Sequence, residues 1–176
     1  MLLKKYSPEW VNDFNKLKNE IEIALTGMVC TIEHIGSTAV PHLDAKPIID
    51  IDVVYAEHSD FDSLKSRLES IGYFHNGNQG IEDREVFKRI HSGSHVVFDV
   101  IMHHLYVCPK HSKALERHLL SRDFLIKNDW ARVKYQAMKY ELAEKAHQDK
   151  KVYAALKELH VNDFIDWMIE KEKQNA

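Results

Sequence analysis

Cysteine is nearly absent from this 176-residue chain, which has only Cys30 and Cys108. Two thiols do not staple a domain of this size, and both are expected as buried free thiols inside strands. No apolar run approaches the roughly 20 residues of a membrane-spanning helix. The opening MLLKKYSPEW lacks an apolar stretch leading to a small-residue cleavage site, so a cytoplasmic protein with no membrane partner is expected. An excess of one charge is lacking as well. A net charge of −3 and a pI near 6.4 leave no footprint of general nucleic-acid binding. Walker A, CxxC, GxSxG and HExxH patterns are all missing. The twelve histidines are scattered, and His91, His95 and His103 make no persuasive zinc set. From Lys110 to the end there is no glycine at all.

What is present is ordinary in bulk: 44% apolar and 29% charged residues, enough for one domain with a substantial core. Ser7-Pro8-Glu9 is a helix start, and Trp10, Phe14, Leu17, Ile21 and Leu25 then recur at helical spacing up to Gly27. Strands are expected at 29–35 and 47–55. A second helix opens at Ser59-Asp60-Phe61-Asp62 and stops at Gly72, and a long loop fills 73–84. Two strands, 85–90 and 95–102, are expected around a His91-Ser92-Gly93-Ser94 turn, with a continuation at 105–108. Beyond Lys110 the pattern is helical. The reading is α+β: a mixed α/β core over 1–109 and a helical part over 110–176, taken as a single domain.

The chain is organised around HIGSTAVPHLDAKPIIDIDVVY, residues 34–55. In its second strand Ile49, Ile51 and Val53 alternate with Asp50 and Asp52, so the isoleucines can face a core while both acids share the other face. Alternate residues lie roughly 6.6 Å apart along a strand, within reach of one metal ion or a metal pair. The competing reading is an edge strand that uses charge to deter aggregation. Upstream, Gly36 permits close approach of a ligand, while the Gly36 and Ser37 amides and the Ser37 hydroxyl can hold an anionic oxygen. Lys46 stands just before the acids and can neutralise phosphate charge.

The succession of an apolar residue, Gly36-Ser37, a dozen residues and Asp50-Ile51-Asp52 resembles the signature of the nucleotidyltransferase superfamily, the DNA polymerase β-like fold. More closely, IEHIGSTAVPHLDAKPIIDIDV resembles the GrpB family. The likeness continues through Gly80-Ile81, Arg84 and Phe87, then His103-His104-Leu105-Tyr106-Val107 and Arg122-Asp123-Phe124-Leu125. It ends with Tyr135, Lys139, Tyr153 and Lys157. The resemblance implies a small mixed sheet with helices on one side and a C-terminal helical region. It also implies Mg²⁺- or Mn²⁺-dependent transfer of a nucleotidyl or phosphoryl group from a nucleoside triphosphate to an acceptor that it does not identify.

In that reading Asp50 and Asp52 hold metal, and Asp99 is the candidate third ligand or base, with an ordinary paired structural aspartate as its alternative. Gly36, Ser37 and Lys46 hold the triphosphate, with His34 and Arg84 as further candidate phosphate contacts. If the His103–Val107 stretch occupies the third-acid strand, His104 stands where a carboxylate should be. Members of the resembled family are found fused to dephospho-coenzyme A kinase. The rival implication is therefore an inactive nucleotide- or anion-binding accessory module, linked to coenzyme A metabolism.

Overall fold

The computed structural model describes residues 1–56, 60–90 and 95–174. Ser59 and the 91–94 turn lie outside them. Helix α1 (Glu9–Ala24) buries Trp10, Phe14, Leu17 and Ile21, the stripe its spacing predicts. Strand β1 (Cys30–Ile35) follows, then a short 3-10 turn at Ser37–Ala39 and β2 (Ile49–Tyr55). Helix α2 (Phe61–Ser70) leads to β3 (Tyr73–His75) and β4 (Glu85–Arg89). A five-residue helix α3 (Val96–Val100) precedes β5 (His103–Pro109), and the chain ends in α4 (Lys113–Lys127), α5 (Asp129–Lys145) and α6 (Lys150–Gln174). Among the described residues no helix is long and apolar enough to cross a membrane.

The five strands form one mixed sheet in the order β1-β2-β5-β4-β3, antiparallel throughout except for the parallel β2–β5 pair. Strand β2 is therefore interior, and the edge-strand reading of Asp50 and Asp52 falls away. Ile49, Ile51, Val53, Leu105, Val107 and Phe87 turn to one face, where α1 and α2 cover them with Leu17, Ile21, Leu64 and Leu68. The opposite face is covered as well. Val54 and Cys108 pack under Ala114 and Leu115 at the start of α4, so helices lie on both sides rather than one. A third cluster joins the helical half to the chain start: Leu2, Leu3, Val40 and Leu43 pack with residues of α4, α5 and α6.

The segment 95–102 is not a strand. Its run of β-branched residues favours one locally, but His95 accepts from the Phe98 amide at 3.4 Å and Asp99 accepts from the His95 amide at 3.0 Å. These bonds, together with Phe98 inserted among Tyr73 and His103, close a single helical turn instead. Tertiary packing overrides β propensity here. Strand β5 begins only at His103.

Candidate functional site

The register of the sheet decides which side chains meet. Asp50 and Asp52 pair with Ile35 and Glu33 on β1, and with His104 and Tyr106 on β5. Side chains opposite one another share a face. Thus the two acids, His104 and Tyr106 lie on the α4 side, away from the main core.

Gly36 closes one end of this face. Its φ of 72° and ψ of −169° suit glycine, and any side chain there would collide with the Asp50 carboxylate. From Gly36 the chain enters the turn that carries Ser37. Ser37 Oγ accepts from Lys139 Nζ at 3.2 Å, and the same ammonium donates to the Asp44 carbonyl at 2.5 Å. Lys139 is only 1% exposed; burial first, and Lys157 second, depress its pKa well below the ordinary lysine value. Lys46 lies over the Tyr153 ring at 4.3 Å and is also lowered, by burial and then by Lys157 and Lys150. Lys157 is raised, mainly by Tyr135, with smaller contributions from Tyr153 and Asp50 opposing its burial. Lys139 thus holds the Ser37 turn, and Lys157 lies within electrostatic reach of both Lys139 and Lys46, so lysines from the β2 approach, α5 and α6 form one cluster. Two of them, Lys139 and Lys46, hold their protons less readily because of burial and the neighbouring Lys157.

The acids are engaged differently. Asp50 Oδ1 lies 2.9 Å from His104 Nδ1, while its other oxygen packs against Gly36. Asp52 is completely buried; its Oδ2 lies 2.8 Å from His118 Nδ1, and its Oδ1 accepts from the Cys108 thiol at 3.8 Å. Burial, and next Asp52, push the Cys108 thiol far up, so it remains a thiol. Each acid is backed by a histidine, one from β5 and one from α4. Arg122 of α4 ties this layer to β1, donating to Glu33 and to the His34 carbonyl, both at 2.9 Å.

Two sequence candidates are not brought here. Asp99 accepts from Arg89 Nε at 2.7 Å, on the α3 side of the molecule. His104 holds the β5 position beside Asp50. His34 pairs with Ile51 on the core face and stacks on Phe14 at 4.5 Å, with Nε2 3.1 Å from Thr38 Oγ1. Its pKa falls to about 4, through burial first and then Arg122, although Asp50 opposes the fall. His103 is likewise structural, 2.5 Å from the Tyr73 hydroxyl. Sequence reasoning missed His118 entirely; it expected Cys108 as a buried free thiol in a strand, where it lies, but not its contact with Asp52. It associated Lys139 and Lys157 with the site only through family likeness.

Mixed β strands, a Gly-Ser turn against an alternating pair of acids and a helical half closing over them define a nucleotidyltransferase-like scaffold. Cid1, in complex with its short product ApU, has this fold, with a TM-score of 0.55 at 12% identity over 81% of this chain and 43% of that one. The chain itself belongs to the GrpB family, whose "GrpB protein" family model matches residues 1–171. The conserved protein GrpB from Enterococcus faecalis superposes with a TM-score of 0.77 at 28% identity over 98% of both chains. The glutamate-rich protein GrpB of Alkalihalophilus pseudofirmus is 30% identical over 169 residues, 96% of this chain and 95% of that one.

The donor set does not fit the two-metal centre expected of a transferase on this scaffold. Mg²⁺ requires oxygen ligands at near-octahedral geometry. Here the neighbouring strand offers an imidazole, Asp52 is sealed with both oxygens engaged, and Asp99 is elsewhere. Among the described residues no group of three or more His, Cys, Asp or Glu side chains is arranged to hold a metal ion.

Proposed function

We propose that this protein binds the polyphosphate of a nucleoside triphosphate on a nucleotidyltransferase-like scaffold without resident two-metal transfer chemistry. The observation that carries this reading is the lysine cluster at the Gly36-Ser37 turn. Lys139 hydrogen-bonds Ser37 Oγ at 3.2 Å, and Lys46 and Lys157 stand within electrostatic reach of one another. Packing like charges together and burying one of them is costly unless an anion joins them. A triphosphate supplies that anion, with the Gly36-Ser37 backbone as its floor. Mg²⁺ or Mn²⁺ enters this reading only as the counter-ion that a triphosphate brings with it. Asp50, the acid that is not fully buried, is the one able to meet it. Transfer to an acceptor needs a third carboxylate, and His104 at its strand position supports binding over transfer.

The test is calorimetric titration with ATP in EDTA and again with Mn²⁺. It compares the parent with Lys46→Met/Lys157→Met and with Asp50→Asn. Binding that persists in EDTA, weakens at least tenfold in the double lysine variant and survives Asp50→Asn supports the reading. Binding that requires Mn²⁺ and disappears in Asp50→Asn would restore the metal-dependent transferase reading instead.

A further inference from the structure

Among the described residues Arg84 is a cation without an anionic partner. It stands immediately before β4, two strands across from β2, and its guanidinium lies over the Tyr106 ring at 5.0 Å. Its Nε is buried with no hydrogen-bond acceptor, and among the described residues Arg84 makes no ion pair. Stacking on an aromatic face compensates part of a guanidinium's charge, but it does not satisfy an N–H in the ring plane's neighbourhood. The nearby carboxylate of Asp52 is already engaged by His118 and Cys108. The His118 ring, 5.8 Å from Tyr106, forms a neighbouring wall, and the exposed His104 flanks Tyr106 on the other side at 6.3 Å.

We propose that Arg84, with the Tyr106 ring beneath it, is a second anion site that receives a phosphate monoester separate from the triphosphate at the lysine cradle. A guanidinium offers a planar fork of N–H donors matched to phosphate oxygens, and an unsatisfied Nε–H is the donor such a fork keeps in reserve. One phosphate chain does not serve both places. The cradle sits at the β1–β2 end by Gly36 and Arg84 lies beyond β5, with the partly exposed Asp50 carboxylate between them to repel a phosphate laid across it. The two sites therefore hold two phosphorylated groups on either side of Asp50. The inference rests on the proposed function only for the name of the cradle's ligand; the Arg84 site stands or falls by itself.

Titrating inorganic phosphate into the full chain while following the Arg84 Nε–H signal by ¹H–¹⁵N NMR tests it. The expected result is a saturable shift of that resonance in the parent and in Lys46→Met/Lys157→Met. Phosphate affinity followed on the Tyr106 amide signal, which every variant retains, should fall at least tenfold in Arg84→Met, whose thermal midpoint should stay close to the parent's. Arg84→Lys should recover only part of the affinity, because an ammonium lacks the fork. An Arg84 signal that ignores phosphate overturns the proposal. So does a shift that vanishes in the double lysine variant, which would mean one continuous site. Failure of ATP to bind the cradle while the Arg84 response remains would remove the proposed function and leave this inference intact.

Discussion

Asp50 and His104 face each other across the parallel β2–β5 pair, with Oδ1 and Nδ1 2.9 Å apart. A third carboxylate on β5 would occupy the position this imidazole holds. Installing one is the most direct test of whether His104 sets the metal affinity of this face. His104→Asp places three carboxylates at adjoining positions; it should cost the metal-free protein about 0.5–1 kcal/mol by like-charge opposition. Mn²⁺ should then bind at least tenfold more tightly than to the parent and restore the thermal midpoint. Equal Mn²⁺ affinity in parent and variant would show that His104 is not what keeps metal out.

The Asp52–His118 pair makes a different prediction, because Asp52 is wholly buried. His118→Ala leaves that carboxylate with only a weak thiol donor. Removing one partner of a buried pair costs about 3–5 kcal/mol. His118 is half-buried, so the lower end applies: about 3 kcal/mol, or a midpoint lowered by roughly 6–12 °C in a domain of this size. Chemical denaturation should report the same loss. A change under about 0.5 kcal/mol would mean that Asp52 is hydrated or protonated rather than held by His118.

Gly36 is constrained twice, by its positive φ and by the Asp50 carboxylate against its Cα. Gly36→Ala should therefore destabilise the fold by about 1–3 kcal/mol, while displacing Asp50 from His104. The His104 Nδ1 proton, followed by NMR, should lose its carboxylate-bonded shift. Parent-like stability and an unchanged His104 signal would refute the close approach.

What was legible in the sequence was local. The α1 stripe, the Gly36-Ser37 turn and the alternation of Asp50 and Asp52 are written in neighbouring residues and appear where expected. Asp99 was misplaced because the β-branched Val96, Val97 and Val100 around it favour a strand, whereas Arg89, 10 residues upstream, captures the aspartate in a helical turn. No local signal separates His103 from His104; only the register with β2 turns one to Tyr73 and the other to Asp50. His118 lies 66 residues from Asp52, and Lys139 lies 102 from Ser37. Contacts over such distances depend on how α4 and α5 dock, which no spacing rule encodes.

His34 gives the acid limb of stability. Its folded pKa of about 4, depressed by burial, lies below the ordinary value of 6.5. Between these values the unfolded chain binds a proton that the folded chain refuses, so this term falls as pH drops through that window. The slope contributed is at most about 1.4 kcal/mol per pH unit. His34→Gln, which can still reach Thr38, should flatten the decline between pH 6.5 and 4 in urea titrations. An equally steep decline in the variant would assign the acid limb to other groups.

The proposed anion cradle predicts that Lys139 couples polyphosphate binding to proton uptake. Burial and Lys157 hold its pKa well below 10.5 in the free protein, so a polyphosphate placed against Ser37 must raise it. Where the free lysine is partly deprotonated, binding then takes up protons, and the measured enthalpy of ATP binding should vary with the ionisation enthalpy of the buffer. The slope of that plot is the number of protons gained. It should be positive, lie between zero and about one for a single group, and fall toward zero in Lys139→Met. Lys139→Met is also expected to lose about 1–3 kcal/mol of stability, since the Asp44 carbonyl and Ser37 Oγ lose a buried donor. The proton count must therefore be measured at a temperature where both proteins are folded. A buffer-independent enthalpy in the parent would mean that Lys139 is already fully charged before the anion arrives, with Asp44 and Ser37 alone sustaining the buried ammonium.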